Sequence, residues 1–334
     1  MKELKIFGVV AFFTLLLYWG VEPFAHSQMH KHVESHGFAY DGTADIEEAE
    51  AKAIAAKETK LPKEKIEKAE ATVAAKKKFW ADVAKISKLK GNVVAGEAGF
   101  AMCAGCHMEG AVNMGGVIPP SLEHAGAIYD KNYLIALIKN PAMASNVDHK
   151  YADTMTHPMG SISTMITEDQ QIADVVAFLK AKKAGEIEPK EAFKDACGRC
   201  HAMRYAKSTQ LGDTPKFKYK KDELKHQVKV LEEQDLVKAY MGKLPPDLSM
   251  IIRARSEHFL ETFVENPQSQ LPGTSMPRVG LSPEGYEKVE EYLTQIGDPS
   301  KPKRESVGPW VILFFIVFTA LAFLWKKEKW HGHH

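Results

Sequence analysis

The sequence has few cysteines and no excess of charge of either sign. Only four of its 334 residues are cysteine, and 44 basic side chains nearly balance 43 acidic ones, which leaves a net charge of +1. A chain without a strong positive field is not attracted to nucleic acid by its overall charge. Long apolar runs are missing from the middle of the chain and occur only at its two ends. The length suffices for two modest domains.

The apolar run near the C-terminus predicts a membrane anchor. It reads VGPWVILFFIVFTALAFLW from Val307 to Trp325 and carries no charge. A helix of this length spans roughly 28 Å at 1.5 Å per residue, close to the apolar thickness of a bilayer. Trp310 and Trp325 stand near the ends of the run, where amphipathic rings prefer the membrane interface. We therefore assign residues 301–334 to a membrane anchor with a cytoplasmic tail.

A shorter apolar run, Ile6–Val21, follows the N-terminus. Its length fits either the core of a cleaved signal peptide or a retained signal anchor, and both would export the residues that follow. The next residues, GVEPFAHSQ, offer no small-residue cleavage site, while Tyr18 and Trp19 resemble interface anchors. We predict a retained N-terminal membrane anchor over residues 1–26.

Residues 27–92 predict helices without an obvious partner. Residues 40–90 are rich in Ala, Glu and Lys, and Pro62 divides them into two helical stretches. Such a composition favours a solvated helical hairpin or stalk. Four histidines precede it, and without a cysteine or carboxylate to complete a metal site they are expected to face the membrane interface or a partner. These histidines are His26, His30, His32 and His36.

All four cysteines belong to two copies of one five-residue pattern. The copies read CAGCH at Cys103–His107 and CGRCH at Cys197–His201. C-x-x-C-H is the attachment pattern of haem c. Two thiols separated by two residues reach the two vinyl groups of one porphyrin, and the adjacent histidine then lies under the ring and binds the iron. The sequence therefore predicts two covalently attached haem c groups, held by Cys103, Cys106 and His107 and by Cys197, Cys200 and His201.

Three other uses of paired cysteines fit less well. A structural zinc site would bring two C-x-x-C pairs within about 15–20 residues, and the gap here is far longer. A thioredoxin-like dithiol would sit in a βαβ pattern, which the sequence does not show, and disulfides would not need a histidine after each pair. Haem c is attached outside the bacterial cytoplasm. Both anchors should therefore have cytoplasmic ends and hold a periplasmic middle at the inner membrane.

Each haem iron needs an axial ligand opposite its histidine, and methionine is common in electron-transfer cytochromes. In the second half, Met276 precedes Pro277 and a short turn. Ser282 is a plausible N-cap with Pro283 at the first helical position, so a helix should follow the methionine closely. We predict Met276 as the axial ligand at the second site.

The first half offers more than one candidate for its axial ligand. Thr167 and Gln170 match a capping box and predict the start of the closing helix. Met159 lies upstream of this start much as Met276 lies upstream of its own helix, which makes Met159 the preferred ligand. The alternatives that stay open are Met155, Met165 and His157.

Both halves repeat one plan, in which a helix leads into C-x-x-C-H and a loop carries a methionine to a closing helix. Phe100 stands three residues before Cys103 and Phe193 four residues before Cys197, and Phe178 and Tyr292 hold corresponding positions in the closing helices. We expect Phe100 to contact Phe178, and Phe193 to contact Tyr292, where the helices cross. The predicted fold class is all-α, with two tandem cytochrome c domains at residues 93–184 and 185–300.

Each pentad is followed by a pair of prolines, in IPPSL at Pro119 and Pro120 and in LPPDL at Pro245 and Pro246. A backbone carbonyl that accepts from the second ring nitrogen of a ligating histidine sets the orientation and basicity of the imidazole. A rigid proline turn can hold such a carbonyl. Pro120 and Pro246 are therefore predicted to support the two histidines.

The stretch GKLPPDLSMIIRAR, Gly242–Arg255, together with CGRCHAMRY upstream, resembles the haem domain of the cytochrome c subunit of quinol–cytochrome c reductases, the cytochrome bc complexes. Members carry PPDLS and a closing Ala-Arg after their C-x-x-C-H, and they end in one membrane helix. The resemblance covers roughly residues 187–325. It implies that Met276 is the axial ligand and that Arg255 contacts a haem propionate, a pairing that suits a bidentate guanidinium.

The resemblance also implies partners. Electrons would come from cytochrome b and a Rieske-type iron–sulfur protein and pass to a soluble cytochrome c or a terminal oxidase, within a dimeric complex. The extra domain at residues 93–184 and the N-terminal anchor depart from the usual member and are similar to two-haem versions of the subunit. Two rival interpretations stay open. The two-haem subunit of a cbb-type oxidase should have its anchors clustered at the N-terminus, and a dihaem peroxidase would normally lack two membrane spans.

Overall fold

The computed structural model describes residues 2–29, 35–107, 117–151, 153–182 and 187–331. Within these residues the protein is built from helices with one short β-hairpin, which confirms the predicted all-α class. The N-terminal half contains α1 Lys2–Leu16, α2 Glu22–Met29, α3 Thr43–Glu58, α4 Lys63–Ser87, α5 Val93–His107, α6 Ala125–Ile128, α7 Lys131–Lys139, α8 Pro141–Ala144, α9 Ile162–Met165 and α10 Asp169–Ala181. The C-terminal half contains α11 Pro189–Ala196, β1 Ser208–Thr209, β2 Gly212–Asp213, α12 Lys220–Met241, α13 Ile251–Ala254, α14 Glu257–Glu265, α15 Pro267–Gln270, α16 Pro283–Gly297 and α17 Lys301–Lys329.

Two helices at the ends of the chain are long and apolar enough to cross a membrane. One runs over Glu3–Ala25, including a π-helical turn, with a mean hydropathy of 1.9, and the other is α17 with a mean hydropathy of 2.5. Neither is buried against the rest of the protein. The side chains of Glu3 and Lys326 approach to 3.5 Å, so the beginning of the first helix lies beside the end of the last.

The first cytochrome-like half is organised by the crossing of α5 and α10. Gly96 of α5 faces the carbonyl oxygen of Asp174, and a Cβ at this glycine would lie only 2.0 Å from that oxygen. The close approach of the helices brings the ring centroids of Phe100 and Phe178 to 5.2 Å, which confirms the predicted contact. Aromatic pairs at this spacing add to the energy of burial.

In the second half, α11 crosses α16. The ring centroids of Phe193 and Tyr292 are 5.1 Å apart, which confirms the second predicted contact. Helix α16 begins where the sequence predicted, with the Ser282 hydroxyl accepting from the Gly285 amide and Pro283 at the first helical position. The loop that carries the predicted methionine ligand therefore ends at a well-capped helix.

The closing helix of the first half starts later than the sequence indicated. Helix α10 begins at Asp169, and the residue before it makes no side-chain cap, so the predicted capping box of Thr167 and Gln170 is wrong. The Gln170 amide instead donates to the Lys90 carbonyl and the Asp174 carboxylate, at 3.1 and 2.8 Å. A tertiary contact to the residues before α5 has replaced the local cap.

The segment between the first anchor and α5 is a helical hairpin, as predicted, but the expectation that it is solvated is wrong for much of α4. Helices α3 and α4 pack against each other, and the second half of α4 turns an apolar face to the core. The residues of this face are almost fully buried: Phe79, Trp80, Val83 and Ile86. Their pattern was hidden in the sequence by the alanines and lysines around them.

Of the four histidines before the hairpin, only His36 lies within the described residues with its surroundings. Its backbone amide donates to the Glu265 carboxylate at 2.9 Å, so this end of the hairpin is attached to α14. The side chain of His26 and the residues His30 and His32 lie outside the described part of the chain.

The two cytochrome-like halves share one continuous hydrophobic core. An antiparallel bridge joins Tyr129 to Leu281, and the Ser282 amide donates to the Ile128 carbonyl at 2.8 Å. Residues just before α16 are thus hydrogen-bonded to the last residue of α6 and to the residues that join α6 to α7. The boundary near residue 184 separates two stretches of similar sequence pattern. In the structure, side chains from both stretches pack in the same core.

Candidate haem-binding sites

The first C-x-x-C-H lies in the last turns of α5. A helix turns once in about 3.6 residues, so Cys103 and Cys106 project from the same side of its end. The helix ends at His107, whose Nδ1 lies 2.8 Å from the Pro120 carbonyl oxygen. This contact is the one predicted for the proline pair after the pentad. With Nδ1 engaged, Nε2 is the nitrogen that remains for a metal.

The second C-x-x-C-H follows α11 directly. Cys197 caps the C-terminus of this helix, and the amides of Cys200 and His201 both donate to the Cys197 carbonyl, at 3.1 and 3.0 Å. His201 Nδ1 lies 2.8 Å from the Pro246 carbonyl oxygen, the same contact at the same distance as in the first half. Both pentads are therefore followed by the arrangement that orients a ligating imidazole.

The PPDLS stretch is held against the residues that follow the second pentad. The Leu248 amide donates to the Ala202 carbonyl at 3.0 Å. The Asp247 carboxylate accepts from the amides of Arg204 and Ser249, both at 3.0 Å. Partial burial raises the pKa of Asp247, but these hydrogen bonds outweigh burial and hold the pKa below its ordinary value. The aspartate thus fixes the proline turn.

Burial sets the protonation of the pentad side chains. It lowers the pKa of His107 and of His201, and the hydrogen bonds to the proline carbonyls only partly offset this effect. Both imidazoles are therefore neutral near pH 7, the form that binds a metal. Burial also raises the pKa of Cys103, and it raises the pKa of Cys197 to about 12. A reactive dithiol requires the opposite shift, so a thioredoxin-like pair is disfavoured.

The donor set at each pentad fits haem c. All four cysteines are free of disulfides, and each pair stands beside an imidazole whose Nδ1 is already bonded. Across the described ranges, no three His, Cys, Asp or Glu side chains come together as a site for a bare metal ion. Two thiols and one imidazole are too few ligands for structural zinc, which takes four, but they match the two thioethers and one axial ligand of haem c.

The candidate methionines differ in burial. Met276 is partly buried on the loop before α16, and its amide donates to the Thr274 hydroxyl at 3.2 Å. In the first half, Met159 is partly buried and packs against the core, whereas Met155 and Met165 are 55% and 59% exposed. A thioether that ligates iron is shielded from water inside the haem crevice. Burial therefore favours Met159 over the other two methionines.

His157 is the remaining alternative in the first half. Its Nδ1 accepts from the Met159 amide at 3.0 Å, and its ring packs edge-on against Tyr151 with 4.8 Å between centroids. Burial, and then the charge of Lys150, lower the pKa of His157 to about 4, so the imidazole is neutral. This histidine supports the loop that carries Met159.

Two arginines near the second pentad differ in their surroundings. Arg255, at the end of the PPDLS stretch, is exposed, and its guanidinium packs over the Phe259 ring at 5.0 Å. Arg199, inside the pentad, is partly buried, and its Nη1 lies 3.4 Å from the Ile118 carbonyl oxygen, two residues before Pro120. No motif singles out Arg199 as a site residue, although a charge between the two cysteines is a visible signal in the sequence. This arginine links the second pentad to the loop that carries Pro120.

Residues 93–183 match the family model for cytochrome c. The chain contains a cytochrome c domain. The matched range begins with the first residue of α5 and ends shortly after α10, so it includes the first pentad and the crossing helices. A cytochrome c domain implies covalently bound haem c, and with it a role in electron transfer.

Two curated relatives share part of the sequence. Cytochrome c1 of Allochromatium vinosum is 23% identical over a region that covers 42% of this chain and 82% of the relative. The ammonia monooxygenase gamma subunit of Nitrosomonas europaea is 26% identical over 28% of this chain and 57% of the relative. No solved structure matches the chain. The similarity to cytochrome c1 supports a cytochrome c subunit, and the two long apolar helices support a membrane anchor.

Proposed function

We propose that this chain is a membrane-anchored cytochrome c with two covalently attached haem c groups, which passes electrons from a quinol–cytochrome c reductase to a soluble cytochrome c or an oxidase. The second haem lies beyond the matched domain. The observation that supports it is the recurrence of one contact, from His107 to Pro120 and from His201 to Pro246, each 2.8 Å from Nδ1 to a carbonyl oxygen. A second pentad without a haem would not need this support for its histidine.

The residues of each site would hold the group and tune it. When bound, haem c supplies a one-electron redox centre. Cys103 and Cys106 would attach it covalently, and the neutral His107 imidazole, oriented by a backbone carbonyl, would ligate the iron. A methionine thioether that also bound the iron would favour the reduced state and raise the potential. Cys197, Cys200, His201 and Met276 would repeat these roles at the second site, and no bond chemistry belongs to the chain.

Contacts between the two sites support electron transfer within the chain. Arg199 of the second pentad reaches the loop that carries Pro120. The hydroxyl groups of Tyr151 and Tyr240 lie 2.6 Å apart and join the loop before Met159 to α12 of the second half. We place the second site first in the order of transfer, because the resemblance to reductase subunits surrounds that site.

The proposed complex rests on the PPDLS resemblance and on the similarity to cytochrome c1. Its other subunits would be cytochrome b and a Rieske-type iron–sulfur protein, in a dimeric assembly at the inner membrane with the haem domains on the periplasmic side. The apolar helix α17 at the end of the chain favours this complex over a cbb-type oxidase. Partly buried methionines in both halves favour an electron relay over a peroxidase, which would keep one iron open or bis-histidine ligated.

Purification in a mild detergent tests the proposal. The denatured polypeptide should exceed its sequence mass by two haem groups, and replacing Cys197 and Cys200 by serine should remove one of them. Cytochrome b and an iron–sulfur protein should be recovered with the chain. A mass with fewer than two haem groups would contradict the two-haem assignment, and recovery with a copper oxidase would contradict the proposed complex.

A further inference from the structure

The loop that carries Met276 is held at both of its ends. On the N-terminal side, the Gln268 side chain donates to the Thr274 carbonyl at 2.7 Å and accepts from the Gly273 amide at 2.8 Å. On the C-terminal side stands Arg278, two residues after Met276 and only 4% exposed. A fully buried arginine is uncommon unless it is paired, so its partners are informative.

The Arg278 guanidinium is paired with a carboxylate from the N-terminal hairpin. Its Nη1 donates to Asp45 Oδ2 at 3.0 Å, and its Nη2 donates to the other carboxylate oxygen. Asp45 lies in α3 and is 2% exposed. The indole N–H of Trp80 in α4 donates to the same carboxylate at 3.0 Å. The pair is therefore bidentate, and both helices of the hairpin contribute to it.

The backbone of Arg278 is held by the first cytochrome-like half. Its amide donates to the Ser145 carbonyl at 2.8 Å, and its carbonyl accepts from the Tyr133 hydroxyl at 2.9 Å. Gly280, with a φ of 78°, lies so close to the Tyr133 ring that a Cβ would be 1.9 Å from it. The side chain and both main-chain groups of Arg278 are thus fixed by residues outside the second half.

Stability alone is a weak explanation for this arrangement. Burying an ion pair has a desolvation cost that its own attraction often fails to offset, so apolar residues of similar volume would stabilise the fold at least as well. A bidentate buried pair does define a geometry. It defines that geometry two residues from the predicted iron ligand, and a ligand has to be held within about 0.5 Å of its productive position.

We propose that Asp45 is a positioning residue for the axial methionine of the second site, because through Arg278 it holds the loop on which Met276 ligates the iron. The inference rests on the proposed function, since it takes Met276 as the ligand. It gives Asp45, in the N-terminal hairpin, control over the ligation, and therefore the reduction potential, of a haem that is attached more than 150 residues further along the chain.

The test uses the full-length chain in detergent. A methionine–iron bond gives oxidised haem c a weak long-wavelength absorption band, and the Met276→Ala variant identifies the band and the potential that belong to the second site. Asp45→Asn should lose the same band and lower the same potential, with the first-site signals unchanged. The matched control is Glu50→Gln, which removes a hairpin carboxylate from an exposed ion pair with Lys77. This control should keep both bands and both potentials.

A second variant separates positioning from unfolding. Asp45→Asn alone leaves an unpaired buried guanidinium, which can disrupt the fold for that reason. The double variant Asp45→Asn/Arg278→Gln buries no charge, so it should keep the wild-type far-ultraviolet circular dichroism and still lose the second-site band. A folded single or double variant that retains this band would overturn the inference. Wild-type protein without a second haem, or without a band that depends on Met276, would instead contradict the proposed function.

Discussion

At the scale of single residues, the sites depend on the pairing of each chemical group with a backbone atom or a distant charge. Burial keeps the imidazoles of His107 and His201 neutral, and a proline carbonyl engages Nδ1 of each. The two arginines that the sequence did not single out, Arg199 and Arg278, act through partners far away in the chain. Motif spacing predicts the two histidines and their proline turns. It does not predict the two arginines, whose partners are distant in the sequence.

The choice of axial ligand at the first site leads to a prediction. Met159→Leu keeps the volume of the side chain but removes the thioether, so the first-site methionine–iron band should disappear and the potential of that haem should fall. Spectroelectrochemical titration of the oxidised and reduced protein measures both. Met155→Leu, at a methionine that is 55% exposed, is the control and should change neither. Loss of the band in the control variant would move the assignment to Met155.

The buried ion pair leads to a prediction about acid. Burial raises the pKa of Asp45, but the charge and hydrogen bonds of Arg278 outweigh burial and hold the pKa below its ordinary value. A carboxyl whose pKa is lower in the folded state stabilises the fold above its unfolded pKa of about 3.9, and the stabilisation is lost as the pH falls through the folded pKa. The unfolding free energy should therefore decline below about pH 4.

Denaturant titrations at several pH values measure this decline, and the Asp45→Asn/Arg278→Gln variant should show a shallower one. Asp45→Asn alone should lower the unfolding free energy at pH 7 by about 3–5 kcal/mol, because it leaves a buried arginine unpaired. If the unfolding free energy declined equally with falling pH in the wild type and the double variant, the Asp45–Arg278 pair would not contribute to the acid sensitivity.

At the scale of elements, the hairpin of α3 and α4 is where sequence and structure differ most. Its helices, and the break at Pro62, follow from composition and from the proline. Its role does not, since alanines, lysines and glutamates dominate both helices, and the large buried apolar side chains lie only in the second half of α4. The crossing helices were easier to predict, because Phe100 and Phe193 each stand within one helical turn of the following C-x-x-C-H, and each contacts its expected partner.

The packing of α4 can be tested by shortening one side chain. Ile86 is fully buried, so Ile86→Ala should lower the unfolding free energy by about 2–5 kcal/mol through lost burial and a cavity. Ile54, on α3 of the same hairpin, is 57% exposed. The control substitution Ile54→Ala should therefore change the unfolding free energy by no more than about 0.5 kcal/mol. Equal effects of the two substitutions in denaturant titrations would indicate a solvated stalk after all.

At the scale of the whole molecule, the two cytochrome-like halves and the hairpin form one packed body between two apolar helices. The halves exchange backbone hydrogen bonds between residues 128–130 and residues 280–282, and the hairpin contacts both halves. The two terminal helices lie outside this body, with their apolar side chains exposed as a lipid environment requires.

The two exposed terminal helices lead to a prediction about the conditions that release the protein from a membrane. The full chain should stay in the membrane fraction after an alkaline wash, because each helix buries a long apolar surface in lipid. Removal of residues 306–334 should leave it there, held by the first helix, and further removal of residues 2–25 should release most of it. Immunoblotting of pellet and supernatant measures the distribution. Release of the full chain by the wash would contradict membrane insertion.

The sequence by itself determined the helical class, the two pentads, the proline turns that face their histidines and the two apolar ends. Each of these depends on residues within a few positions of one another, so spacing and side-chain chemistry suffice to predict it. Only the tertiary structure decided that α10 starts without a capping box, that α4 is part of the core, and that Arg278 is paired with Asp45, 233 residues away. The partner of a buried charge is set by which residues the packed fold places beside it, and no local sequence pattern specifies those residues.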